Sequence, residues 1–128
     1  MAIDRDTRIL IVLQAGTESH EGRARALHSV IYATELSEAG ATVRLVFDGA
    51  GTGWLARWTT EAGAQTRAGA LFANLRARGL SYEVCDYCSG AFEVKGDRVE
   101  AGEALSGGYM DHPSMAAHDA EGFAVWIL

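Results

Sequence analysis

Ile9-Leu10-Ile11-Val12-Leu13 is an unbroken apolar run with none of the alternation that a half-exposed strand would show. A β-branched and leucine run of this length fits a strand covered on both faces, the usual situation in a parallel sheet. The residues that follow agree with it. Ala15-Gly16-Thr17-Glu18-Ser19-His20-Glu21-Gly22 is a polar, glycine-containing loop. Leu27, Val30, Ile31 and Leu36 then recur at near-helical spacing before Gly40, predicting a helix from about Arg23 to Ala39. Val43 to Phe47 reads as a second strand running into the glycine turn Asp48-Gly49-Ala50-Gly51-Thr52-Gly53.

The same alternation continues along the chain. A short helix carries Trp54, Leu55 and Trp58, and Ala68, Leu71, Phe72 and Leu75 form one helical stripe stopped by Gly79. Ser81 to Val84 is a third strand entering Cys85, with Ser89 to Val94 beginning a short helix or turn. Glu103 to Ser106 reads as a very short fourth strand. Asp111-His112-Pro113 opens a helix with proline in its first turn, ending near Gly122, and Phe123 to Leu128 is a final apolar strand. Strands alternating with helices predict an α/β fold: a three-layer α/β/α sandwich around a mostly parallel sheet of about five strands, with residues 1–128 as one domain. Strand order does not follow from this pattern, but the location of a site does, because such sheets bind and react at the carboxyl ends of their strands.

Composition narrows the partners. With 128 residues, 48% of them apolar, the chain can build one core without a metal or a disulfide. Seventeen acidic against eleven basic residues give a net charge of −6, which disfavours nucleic acid and anionic lipid as partners. No apolar run approaches the roughly 20 residues that span a bilayer. Met1 to Asp6 lacks the features of a signal peptide, so a cytoplasmic location is expected, where Cys85 and Cys88 stay reduced.

Three strand-end loops are candidate sites. Gly16 to Gly22 could present helix amides to an anion, but it lacks the Gly-Lys-Ser/Thr of a phosphate loop, and Glu18 and Glu21 oppose a phosphate. His20 lies beside a site there or is simply solvated. Gly49-x-Gly51-x-Gly53 misses the dinucleotide spacing by one residue and reads as a turn relieved by glycine. Cys85-Asp86-Tyr87-Cys88 is the most informative stretch, since a thiol at a strand end and helix start is placed for nucleophilic chemistry. Glu83 and Asp86 act against thiolate formation. Buried inert thiols, dithiol redox chemistry, zinc and sulfur transfer all remain open on chemistry alone. Zinc would draw on Cys85, Cys88, His112 and His118, but six positions along a helix put the two imidazoles on different faces, so no stoichiometric zinc is expected.

At these residues the chain resembles the DsrE/DsrF-like family of small sulfur-relay proteins. The resemblance runs through nearly the whole sequence: the Ile9 to Leu13 strand, the Ala15-Gly16 loop and long helix, the Val43 to Phe47 strand with its glycine turn, and the cysteine after Tyr82-Glu83-Val84. It is closest to members with a Cys-Asp-aromatic-Cys-x-x-Ala-Phe stretch, here Cys85 to Phe92, followed by His112-Pro113-Ser114 and Gly122-Phe123. The resemblance implies an α/β sandwich, homo-oligomeric assembly, sulfur donor and acceptor proteins as partners, and a cysteine that carries sulfane sulfur as a persulfide. The matching position is Cys85, with Cys88 as a second thiol able to close a disulfide. No organic cofactor is required. Gly16, His20, Gly49, Gly51 and His112 are possible lining residues, His112 serving as proton donor or, preferably, as a helix cap. The rival reading is a non-catalytic homo-oligomeric binding module that holds a small anion or a partner protein in the same cleft. Self-association is expected through exposed Trp54, Trp58 or Phe92.

Overall fold

The computed structural model describes residues 2–96, 103 and 105–128. Five strands, β1 (Arg8–Leu13), β2 (Thr42–Phe47), β3 (Ser81–Cys85), β4 (Leu105–Ser106) and β5 (Ala124–Ile127), form one sheet in the order β4-β3-β2-β1-β5. Every pairing in it is parallel. Parallel neighbours need crossovers, and helices supply them. The first is α1 (His20–Glu38), between β1 and β2. A 3-10 turn (Gly49–Gly51), α2 (Thr52–Trp58), α3 (Glu61–Ala64) and α4 (Arg67–Ala77) lie between β2 and β3. Beyond β3 come α5 (Asp86–Ala91) and then α6 (Met115–Ala120), which precedes β5. The α/β sandwich read from the sequence is the fold observed.

The alternation of side chains along a strand divides the core in two. Ile9, Ile11 and Leu13 of β1, with Val43, Leu45 and Phe47 of β2, meet Ala26, Val30, Ala33 and Leu36 of α1 and Phe72 and Leu75 of α4. Leu10, Val12 and Val46 point the other way and pack with Phe123. All five residues from Ile9 to Leu13 are buried, as the unalternating run requires. Phe47 is the centre of the larger cluster, with Trp58, Phe72 and Tyr82 meeting its ring edge to face at 5.8, 5.6 and 6.3 Å. Burying one such side chain stabilises the fold by about 1.5–3 kcal/mol.

Three expectations change. Trp54 and Trp58 belong to the core, and the Trp54 indole N–H donates to the Ala15 carbonyl at 2.9 Å, so neither is an exposed association surface; Phe92 is exposed. Helix α1 begins three residues early, because Ser19 Oγ accepts the Gly22 N–H and starts the helix there. Pro113 lies outside α6, whose N-cap is Ser114, with Oγ accepting from the Ala117 N–H. Strand β5 falls within the range expected for the final apolar strand, lies at the edge of the sheet and is exposed along its whole length. The fourth strand spans Leu105–Ser106; Ala104, inside the range expected for it, lies outside the described residues.

Candidate functional site

Parallel register lines up the strand ends. Leu13 pairs with Phe47 and Phe47 with Val84, so Gln14, Asp48 and Cys85 leave the sheet side by side at its carboxyl edge. Gln14 Nε2 donates to Asp48 Oδ2 at 2.9 Å. Gly51 makes the tight turn after β2 possible, since a Cβ there would run into the Leu13 carbonyl oxygen. Gly49 supplies a positive φ of 54° in the same turn.

Beyond β3 the chain enters α5 at once, which puts Cys88 in its first turn. Cys85 is the N-cap: its Sγ accepts the Cys88 N–H at 3.4 Å. Cys88 Sγ donates to Asp48 Oδ1 at 3.4 Å and lies 3.8 Å from His112 Nε2. His112 arrives from the loop after β4, where Met110 and Asp111 hold positive φ values of 49° and 62°. Its Nδ1 is 2.9 Å from the Met110 carbonyl, a contact that an N–H at Nδ1 satisfies; in the neutral imidazole this tautomer turns the Nε2 lone pair toward Cys88. The ring stacks on Tyr87 at 5.0 Å, and the Tyr87 N–H donates to the Asp111 carbonyl at 2.9 Å. Cys85, Cys88, Asp48 and His112 thus present one ligand atom each, all within 4.8 Å of one another.

The two thiols differ. Cys85 is fully buried and Cys88 is 8% exposed. Burial pushes the Cys85 thiol up to about 12; the Cys88 N–H works against this, while the Cys88 thiol and Asp48 add to it. Burial also raises Cys88, and Asp48 adds to the rise, but the Cys85 thiol and the Gly49 backbone both favour its thiolate. For Asp48 burial acts upward too, but hydrogen bonds from Gln14, both thiols and Gly49 outweigh it and hold the carboxyl below its usual value. Of the two nearby acids, Asp86 is taken up by Lys95 at 2.5 Å and Glu83 faces His118 at 4.0 Å.

The structure therefore brings Cys85, Cys88 and His112 together, with Gly49 and Gly51 shaping the turn beside them. His112 does not cap α6; Ser114 does. Gly16 sits under the Glu18 carboxylate, and His20 is an exposed first residue of α1 outside the four-residue cluster. His118 is buried, with Nδ1 2.6 Å from the Ser114 carbonyl and its ring against Phe123 at 5.9 Å, so it too stands apart. Asp48 is the residue that sequence reasoning passed over as part of a turn. Its signal was an acid directly after a buried strand.

The DsrE/DsrF-like family model matches residues 7–120, from the residue before β1 to the end of α6. No curated protein matches the chain.

Proposed function

Because the chain belongs to the DsrE/DsrF-like family, whose members generally relay sulfur, we propose that it carries sulfane sulfur as a persulfide on the strand-end dithiol. The observation that carries this reading is the Cys88–His112 pair, a thiol 3.8 Å from an imidazole nitrogen that is free to take its proton. Reactive cysteines are partly exposed and have a partner for the proton; buried ones without that help are inert. Cys88 meets this description better than Cys85, so the roles expected from the sequence are exchanged: Cys88 accepts sulfur and Cys85 is the buried second thiol.

In the forward step, Cys88 gives its proton to His112 and attacks the outer sulfur of a donor persulfide. The donor's S–S bond breaks, a new one forms on Cys88, and the donor leaves as thiolate. An acceptor thiolate then takes the outer sulfur and returns Cys88. In the absence of an acceptor, Cys85 can attack the inner sulfur of the Cys88 persulfide, closing a disulfide and expelling the outer sulfur as hydrosulfide. Two thiols are oxidised and one sulfane sulfur is reduced, so no further reagent is needed.

Sulfur donor and acceptor proteins in the cytoplasm complete this reading. Among the described residues no helix is long and apolar enough to cross a membrane. Homo-oligomeric assembly belongs to the same proposal, supported by the exposed apolar side chains Val125, Trp126 and Ile127 on β5. Light scattering at micromolar concentration checks it, and the mass of a single chain would refute it. The chemistry is tested by intact mass after incubation with a small-molecule persulfide. The protein gains about 32 Da, one sulfur atom. Cys88→Ser gains nothing, and Cys85→Ser keeps the adduct for longer. Loss in Cys85→Ser alone would return the acceptor role to Cys85, and the absence of both an adduct and a Cys85–Cys88 disulfide on the unsubstituted protein with several donors would favour a non-catalytic binding module.

A further inference from the structure

The spacing of Cys85, Cys88, His112 and His118 argues against a shared metal, and His118 does stand apart in the fold. The fourth ligand type comes instead from Asp48 on the neighbouring strand. We propose that Asp48 Oδ1, Cys85 Sγ, Cys88 Sγ and His112 Nε2 form a tetrahedral zinc site.

The geometry carries this in three ways. Zinc holds sulfur at about 2.3 Å and nitrogen or oxygen at about 2.0–2.2 Å, so a sulfur-to-nitrogen or sulfur-to-oxygen edge of its tetrahedron is about 3.6 Å. The Cys88 Sγ edges to Asp48 Oδ1 and His112 Nε2 are 3.4 and 3.8 Å. The widest separation in the set, 4.8 Å at most, closes by a side-chain adjustment of about an ångström. Second, each ligand that could turn away is held from behind. Nδ1 of His112 is committed to the Met110 carbonyl, which aims Nε2 inward, and Gln14 holds Oδ2 of Asp48, which leaves Oδ1 facing the thiols. An imidazole anchored through its other nitrogen to a carbonyl, and a carboxylate anchored through its other oxygen, are the usual supports of zinc ligands. Third, two sulfurs, one imidazole and one carboxylate form a donor set that suits zinc over magnesium or calcium, which take oxygen ligands.

Binding converts both thiols to thiolates and releases their two protons to solvent. The site uses all four inward atoms, so zinc and sulfane sulfur exclude one another. That consequence rests on the persulfide reading above; the site itself does not. In the resting chain zinc would shield the thiols from oxidation, and its removal would open them to a donor.

The test uses the full chain stripped with a chelator and titrated with Zn²⁺ alone, then with Co²⁺ as a spectroscopic probe. One metal ion per chain is expected, with Co²⁺ giving the strong visible bands of tetrahedral coordination and sulfur-to-metal charge transfer. Cys88→Ser should remove the charge-transfer band of that thiolate and Asp48→Asn should weaken Zn²⁺ binding roughly 100-fold, while Gln14→Ala, an exposed change that leaves the core alone, should weaken it about 10-fold. His118→Asn, with folding checked by circular dichroism, should leave affinity unchanged. Absence of Zn²⁺ binding, or binding that Asp48→Asn and Gln14→Ala do not alter, overturns the four-ligand site. Zinc binding without any sulfur adduct on the stripped protein would overturn the persulfide reading alone, and sulfur loading without zinc binding would overturn the metal site alone.

Discussion

At the corner between β1 and α1, Ser19 Oγ accepts the Gly22 N–H at 3.0 Å; at the corner between β3 and α5, Cys85 Sγ accepts the Cys88 N–H at 3.4 Å. Both are strand ends at the same edge of the sheet, and both start a helix through a side chain reaching three residues ahead. Thr60, Thr66 and Ser114 cap α3, α4 and α6 in the same way, each with a hydroxyl. Sulfur is a weak acceptor, so a serine would cap α5 better than the residue found there. The thiol at that corner is therefore explained by its chemistry and not by the helix it starts. The β1–α1 corner has the better cap and is closed by its own Glu18; the β3–α5 corner has the poorer cap and receives Asp48 from the end of β2 and His112 from the loop after β4.

Four substitutions test this contrast. The largest effect is expected for Gly22→Ala, whose new Cβ would meet the Gly16 carbonyl oxygen; the closed corner should lose roughly 3 kcal/mol, read from the urea midpoint. Next, Ser19→Ala should cost about 1 kcal/mol in the same measurement, the ordinary worth of a hydroxyl cap. A smaller effect of opposite sign is expected at Gly90 in α5, where a Cβ would meet only the far part of Lys95 at 4.0 Å. Gly90→Ala should stabilise by about 0.5 kcal/mol, seen as a raised melting temperature. The smallest belongs to Cys85→Ser, which keeps a capping atom and should move stability by no more than about 0.5 kcal/mol while slowing amide exchange at Cys88. A loss of 2 kcal/mol or more there would show that the thiol is needed for packing, and the contrast would fail.

The periodicity of side chains made the fold legible: Ile9 to Leu13 could only be a doubly covered strand, and the stripe from Ala68 to Leu75 could only be one helix face. The cysteines and the carboxyl-edge location were legible for the same reason. Asp48 was not, because its place beside Cys85 depends on the parallel register of two strands joined by a long helical crossover, and local pattern is silent on register. His112 was read as a cap because Pro113 looks like a first helical residue. Ser114 takes that role instead, and the left-handed residues Met110 and Asp111, which no composition rule announces, turn the imidazole toward the thiols. Strand β5 was legible as a strand, but its place at the edge of the sheet was not, because local pattern does not set strand order.

Strand order also sets a schedule for synthesis. Ile9 lies in register between Val43 of β2 on one side and Ala124 of β5 on the other. At about 5–20 residues per second, β2 is available to β1 roughly 4–16 s before β5 is. For that interval the most apolar strand of the protein has one bare edge, the form in which strands add to strands of neighbouring chains. The time a ribosome takes to reach Ala124 therefore sets how long that edge stays bare.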